Sequence, residues 1–183
     1  MAQPKSHPPV VLIVAVFSRH PDALQWATEQ LRQKYGPLLA ASPTYPFEHT
    51  DYYTPTMGPD LRKQLLAFQT LVPPETLPDV KLATNELEAK LAQSGCYPET
   101  RPINLDPGYL DAGKFVLVST KNHAHRIYLR DGIFAEVTLY YEKKCFRPWP
   151  WTYLDYRQPV VLDFLEQVRS WYKLRLASVP AQA

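Results

Sequence analysis

Eight apolar residues in a row, "VVLIVAVF" from Val10 to Phe17, stand out against the mixed pattern around them. A run of that length without alternation predicts a strand buried on both faces. Its length also matches the apolar core of a secretory leader. However, the proline-rich stretch ahead of it holds a single lysine, Lys5, and no small-residue cleavage pattern follows, so the strand reading stands. Beyond it, Pro21 sits where a first helical turn tolerates proline, and Leu24, Ala27, Leu31 and Tyr35 recur on one face until Gly36-Pro37. That spacing predicts a helix. "FEHTDYY" (Phe47 to Tyr53) and "QLLAFQTLV" (Gln64 to Val72) read as two extended segments closed by Pro73-Pro74. A second helix is expected from Pro78 to Gln93, with Val80, Thr84, Leu87 and Leu91 inward and Lys81, Asn85 and Glu88 together on another face.

"PINLDPGYL" and "KFVLVST" follow as strand-length segments, then a hairpin turning at Asp131-Gly132. An aromatic and proline stretch, "FRPWPWTYLDY", leads into a last helix from Pro159 to Leu174 with Val161, Phe164, Leu165, Val168 and Tyr172 inward. The order strand, helix, strand, strand, helix, strand predicts an α+β sandwich. It would be a ferredoxin-like split βαβ layer with a mostly antiparallel sheet, extended by a C-terminal β-hairpin and helix. A single domain is expected over residues 10–176, with 1–9 and 177–183 as flexible tails.

Composition narrows the function classes. With 20 basic and 18 acidic residues the formal net charge is +2, so no whole-molecule field draws the chain to nucleic acid or an anionic membrane, and any anion site has to be local. Only 6 glycines, against 19 prolines, leave few phosphate-cradling loops. Cys96 and Cys145 are isolated, which disfavours a structural zinc and fits a reducing, cytoplasmic setting. No segment approaches the roughly 20 apolar residues that span a bilayer.

Candidate chemistry concentrates in "TKNHAHRIYLRDGIFAEVTLYY", Thr120 to Tyr141. If Arg130 pairs with Ile133, alternation puts His123, His125, Ile127, Leu129, Phe134 and Glu136 on one face and Arg126, Tyr128, Arg130 and Ala135 on the other. His125 and Glu136 then become diagonal neighbours. They would be an acid-base pair, half of a divalent-metal site, or a structural hydrogen-bonded pair. "FEHTDYY" contributes Glu48 and Asp51, either of which needs a partner if it faces inward, and Lys81 and Asn85 would supply it. Asn104 and Asp106 precede Pro107-Gly108, where turn chemistry accounts for Asp106. Lys114, Lys121 and Arg126 are candidates for an anion grip.

No Gly-x-x-x-x-Gly-Lys-Ser/Thr loop, Gly-x-Gly-x-x-Gly, nucleophile elbow or His-Glu-x-x-His occurs. Five ordered segments, "FEHTDYYTPTMG", "KLATNELE", "INLDPGYL", "STKNHAHRIYLRDGIFAEVTLYY" and "PWPWTYLDYR", resemble the bacterial family catalogued as domain of unknown function 4416, from about Val10 to Leu174. The resemblance implies a stand-alone bacterial cytoplasmic protein. Some members carry the label GTP-binding protein, yet this sequence has neither a P-loop nor an Asn-Lys-x-Asp guanine-reading motif.

The leading expectation is a polar site on one side of the sheet for a small anionic, phosphate- or nucleotide-like ligand. In it, Lys81 and Arg126 hold the anion, Glu48 or Asp51 and Asn85 bind or orient it, and His125 and Glu136 exchange a proton or hold a metal. The competing class is a non-catalytic module that docks RNA or protein on the hairpin face, where Arg126, Tyr128 and Arg130 alternate.

Overall fold

The computed structural model describes residues 3–178. The unbroken apolar run forms β1 (Val10–Ser18), the central strand, all of it buried. Helix α1 (Pro21–Tyr35) follows with its proline in the first turn and ends at Gly36, whose φ of 90° and backbone N–H bond to the Arg32 carbonyl terminate it. The chain re-enters the sheet as β2 (Leu38–Ala41) and β3 (Tyr45–Pro46), passes a short helix α2 (Thr54–Met57), and runs back as β4 (Arg62–Val72). Helix α3 (Leu77–Gln93) leads to β5 (Asn104–Leu110) and β6 (Lys114–Ser119). The hairpin β7 (Ile127–Arg130) and β8 (Ile133–Glu142), then β9 (Cys145–Pro148) and α4 (Pro159–Ala177), complete the order.

Among the described residues the strands make one sheet in the order β2-β4-β1-β5-β6-β8-β7, with β3 on β4 and β9 on β8. Every pairing is antiparallel. Alternation along β1 divides the core. Leu12, Val14 and Val16 pack against Ala27 and Leu31 of α1 and Val80 and Leu91 of α3. Val11, Ile13 and Ala15 pack against Val161, Phe164, Leu165 and Val168 of α4. Each large apolar side chain buried this way contributes roughly 1.5–3 kcal/mol, and helices on both faces explain why β1 shows no polar alternation.

Two segments depart from expectation. "FEHTDYY" is not a strand: residues 47–53 are irregular. The Phe47 and Tyr53 rings lie 5.9 Å apart, whereas six residues of extended chain would separate them by about 20 Å. The segment curls so that both rings pack on Phe17, helped by the Thr50 hydroxyl accepting the Tyr52 N–H at 3.1 Å. The strand after α1 is instead Leu38–Ala41. "LDPGYL" holds no turn, since Asp106, Pro107 and Gly108 all lie within β5 opposite Ala15, Val14 and Ile13 of β1.

The hairpin turns where expected, with positive φ at Asp131 (53°) and Gly132 (76°), and Arg130 does pair with Ile133. A bulge then shifts the register, so Ile127 faces Ala135 instead of Glu136, and the segment from 121 to 126 is a loop ahead of the strand. Helix α4 runs three residues beyond Leu174. Residues 3–9 carry no helix or strand, though His7 lies 3.5 Å from Asp111. The remainder of the expected tails, residues 1–2 and 179–183, lies outside the described residues. No helix among them is long and apolar enough to cross a membrane.

Strands β5 and β6 approach so closely at Gly108 that a Cβ there would overlap the Val116 carbonyl. Gly108→Ala should therefore destabilise by about 3 kcal/mol. Gly132→Ala, with open space but a left-handed φ, should cost only about 1 kcal/mol. Urea melts of the two variants check the ranking.

Candidate functional site

Pairing between β5 and β6 covers only Gly108 to Leu110. From Asn104 to Pro107, β5 has a strand on its β1 side alone, which leaves backbone groups facing an open edge. Two side chains of α3, two helical turns apart, take the place of a strand there. Lys81 Nζ donates to the Leu105 carbonyl at 2.7 Å, and Glu88 Oε1 accepts the Leu105 N–H at 2.7 Å. By alternation the next residue facing that edge is Pro107, which has no N–H to lose.

A closed polar ring surrounds this point. Arg101 donates to Glu88 Oε2 at 2.9 and 3.2 Å and to the Asn104 side-chain oxygen; Asn104 Nδ2 donates to Asp106 Oδ2 at 2.8 Å; Lys81 Nζ lies 3.4 Å from Asp106 Oδ1. Burial pushes the Asp106 carboxyl up, but Lys81, Lys63 and the Asn104 bond outweigh it and hold it below the ordinary carboxylate range. Burial raises Glu88, with Lys81 and Arg101 pulling it back. Loop residue Glu99 accepts from Arg19 at 3.1 Å and lies 2.8 Å from His20 Nε2, anchoring the segment that delivers Arg101.

The splayed strands open into a cleft of about 860 Å³. Its floor lies on the α4 side of the sheet, where Phe17 pairs with Lys63 on β4 and with Asn104 on β5. Lys63 and Asp155 form an ion pair at 2.6 Å with side chains 3 % and 4 % exposed, and the ammonium sits 4.1 Å from the Tyr156 ring centre and 5.0 Å from that of Phe47. This bond ties the loop before α4 to the sheet. The Tyr156 hydroxyl, on a residue lining the cleft, is buried without a hydrogen-bond partner among the described residues.

On the far wall Glu136, 2 % exposed, accepts from Arg126 Nε at 2.7 Å and Thr138 at 3.3 Å and lies 3.0 Å from His125 Nε2. The bulge in the hairpin brings Arg126 to Glu136, although strict alternation had placed them on opposite faces. His123, His125, Trp151 and Trp149 stack in sequence at 5.8, 5.5 and 5.1 Å between ring centres. Across the mouth, Lys121 Nζ lies 4.0 Å from the Tyr52 ring centre and 6.0 Å from that of Tyr53, and it holds the Tyr52 phenol below its usual range.

Of the expected site residues, Lys81, Asn85, Arg126 and Glu136 line this cleft. Glu48, Asp51 and His125 do not, and Lys114 pairs with Asp111 instead. Glu48 and Asp51 are exposed, so the inward carboxylate that Lys81 meets is Asp106. Glu136 shares one oxygen between His125 and Arg126, an arrangement that sets a guanidinium where a metal would otherwise approach it. No group of three or more His, Cys, Asp or Glu suited to holding a metal occurs among the described residues. Lys63, Arg101, Asp106 and Asp155 are cleft residues that the sequence patterns did not single out as binding groups. The visible signals were a charge opening an apolar strand (Lys63) and an acid inside an aromatic run (Asp155).

A family model described as Domain of unknown function (DUF4416) matches residues 8–172, and the chain belongs to that family. No curated protein and no solved structure matches it.

Removing one partner of a sealed ion pair leaves a buried charge and costs about 3–5 kcal/mol. Lys63→Met should thus lower the melting temperature by roughly 10 °C in a domain of this size. The double variant Lys63→Met/Asp155→Leu should recover most of the loss. Thermal melts read both outcomes, and a single variant melting like the parent would show that the pair does not hold the loop.

Proposed function

We propose that the cleft binds a small anionic ligand of phosphate or nucleotide type. The observation that carries this reading is the imbalance of charge on its walls. Lys63, Lys81, Arg101, Lys121, Arg126 and Arg157 line it against three carboxylates, Asp106, Glu136 and Asp155. Lys63, Lys81 and Arg126 are spent on those carboxylates and Arg101 on Glu88, whereas Lys121 and Arg157 have no carboxylate within 4 Å among the described residues, Arg157 donating to the Thr152, Trp149 and Pro150 carbonyls. Net positive charge in a concave, partly apolar site raises the local concentration of anions. The Tyr52 and Tyr53 rings at the mouth offer aromatic surface for a planar group.

The β1-α1-β2-β4-α3-β5 unit is on this reading a ferredoxin-like split βαβ layer, supported by the strand order β2-β4-β1-β5 and two helices on one face. The site opens at the end of that layer, where its last strand parts from the added hairpin strands. His125 and Glu136 serve as a support for Arg126, because Glu136 is sealed and fully engaged.

The second reading, a docking module on the hairpin, is favoured by exposed Ile127, Tyr128 and Leu129 on edge strand β7. Its RNA form is weakened by Arg126 and Arg130 being paired to Glu136 and Asp79.

Calorimetric titration of inorganic phosphate, pyrophosphate and nucleoside mono-, di- and triphosphates separates the two. Wild type should bind at least one of these, with modest salt dependence, and Lys121→Ala should weaken that binding about tenfold, equivalent to about 1.4 kcal/mol. Absence of binding across the series, or equal binding by Lys121→Ala, would overturn the anion-site reading. Oligonucleotide binding that falls steeply with salt would favour the hairpin module.

A further inference from the structure

The three carboxylates of the cleft are not equivalent. Glu136 and Asp155 are sealed under their cationic partners, whereas the Asp106 side chain is 30 % exposed and borders the open space. Its hydrogen bonds inside the chain come from Asn104 to Oδ2 and, at a long 3.4 Å, from Lys81 to Oδ1. A carboxylate accepts at about four lone-pair positions, so part of its capacity points at whatever fills the cleft.

An open, ionised carboxylate inside an anion site constrains the occupant. A phosphate placed directly against it would be repelled, since two like charges at contact distance at a protein surface interact strongly. The anionic group therefore sits toward Lys121 at the mouth. A dication at Asp106 would be repelled by the Lys81 ammonium, which lies 3.4 Å from the carboxylate, and a cationic group of the ligand would meet the same field from Lys81 and Arg101. Neutral hydrogen-bond donors remain. Hydroxyls on adjacent carbons fit best, because a carboxylate accepts two parallel O–H bonds, as acidic residues do from ribose in dinucleotide sites. Tyr53 spans the two ends: Lys121 lies 6.0 Å from its ring, and its phenol, which burial raises first, is raised further by the Asp106 charge.

We infer that Asp106 is a hydroxyl-reading residue and that the ligand joins a phosphate to a vicinal diol, as in a phosphorylated sugar, free or within a nucleotide. This rests on the anionic-ligand reading and narrows its substrate class. Asn104 and Lys81 are positioning residues for Asp106, holding its carboxylate charged and fixed.

The test compares inorganic phosphate, ribose 5-phosphate, 2-deoxyribose 5-phosphate and adenosine monophosphate by calorimetry on wild type and Asp106→Asn, with a thermal melt confirming that the variant folds. Wild type should bind ribose 5-phosphate at least tenfold tighter than phosphate, and the 2-deoxy sugar should lose most of that gain. Asp106→Asn should erase the gain while binding inorganic phosphate as tightly as wild type or tighter, because a repulsion is removed. Adenosine monophosphate binding well above ribose 5-phosphate would assign the sugar to a nucleotide, and equal binding to a free sugar phosphate.

Equal affinities for phosphate and both sugars, or a uniform loss across all four probes in Asp106→Asn, would overturn the inference and leave the anion site standing. No binding of any probe would remove both. If Asp106→Asn does not fold, the ribose against deoxyribose comparison on wild type still decides.

Discussion

The backbone of Leu105 is held on its open side by a lysine and a glutamate from a helix, and the functional architecture depends on that substitution. An unpaired N–H and C=O in a buried strand cost about 1–3 kcal/mol each when left unsatisfied. Lys81 and Glu88 satisfy both at 2.7 Å, so β5 does not need β6 along its first half. The two strands are free to part below Gly108, and a cleft opens inside an otherwise continuous sheet. The charges that perform this are then neutralised in turn by Arg101 and Asp106, which places two more ionisable groups on the cleft wall.

Charge in this molecule follows a division between sealed and open groups. Lys63 with Asp155 and Arg126 with Glu136 are buried pairs that fasten loops around the cleft. Such pairs add geometric definition more than net stability, because desolvation offsets most of their attraction. Lys121 and Asp106 are the groups the walls leave open, while Arg157 donates to the Thr152, Trp149 and Pro150 carbonyls and adds its charge alone. On the proposed function Lys121 draws in the anion and Asp106 sets what accompanies it. The same few residues that position the loops therefore also fix the electrostatic pattern a ligand encounters.

Much of the frame was legible from periodicity. The doubly buried β1, the faces of α1, α3 and α4, and the Asp131-Gly132 turn all follow from local rules, and the Lys81, Asn85, Glu88 face of α3 was visible as a helical stripe. The site was legible only in part, because its defining contacts are non-local. Asp106 resembled a turn residue, since nothing in "LDPGYL" reveals that the missing proline N–H faces an edge without a strand. The bulge between Tyr128 and Arg130 moved Arg126 onto Glu136, and a one-residue slip in a strand reverses every face assignment. "FEHTDYY" had a strand's composition, but Phe47 and Tyr53 both seek Phe17, which curls the segment over the cleft mouth.

On the proposed function, the gap that α3 keeps open beside β5 is the ligand site. Amide chemical shifts followed by NMR during a titration with inorganic phosphate locate the binding. The shifted amides should cluster around the cleft mouth, at Tyr52, Tyr53 and Ser119 to Lys121, with weaker changes at Leu105 and Asp106. Shifts concentrated instead on the β7 edge from Ile127 to Arg130, or around Lys114 beyond the β5–β6 junction, would contradict it.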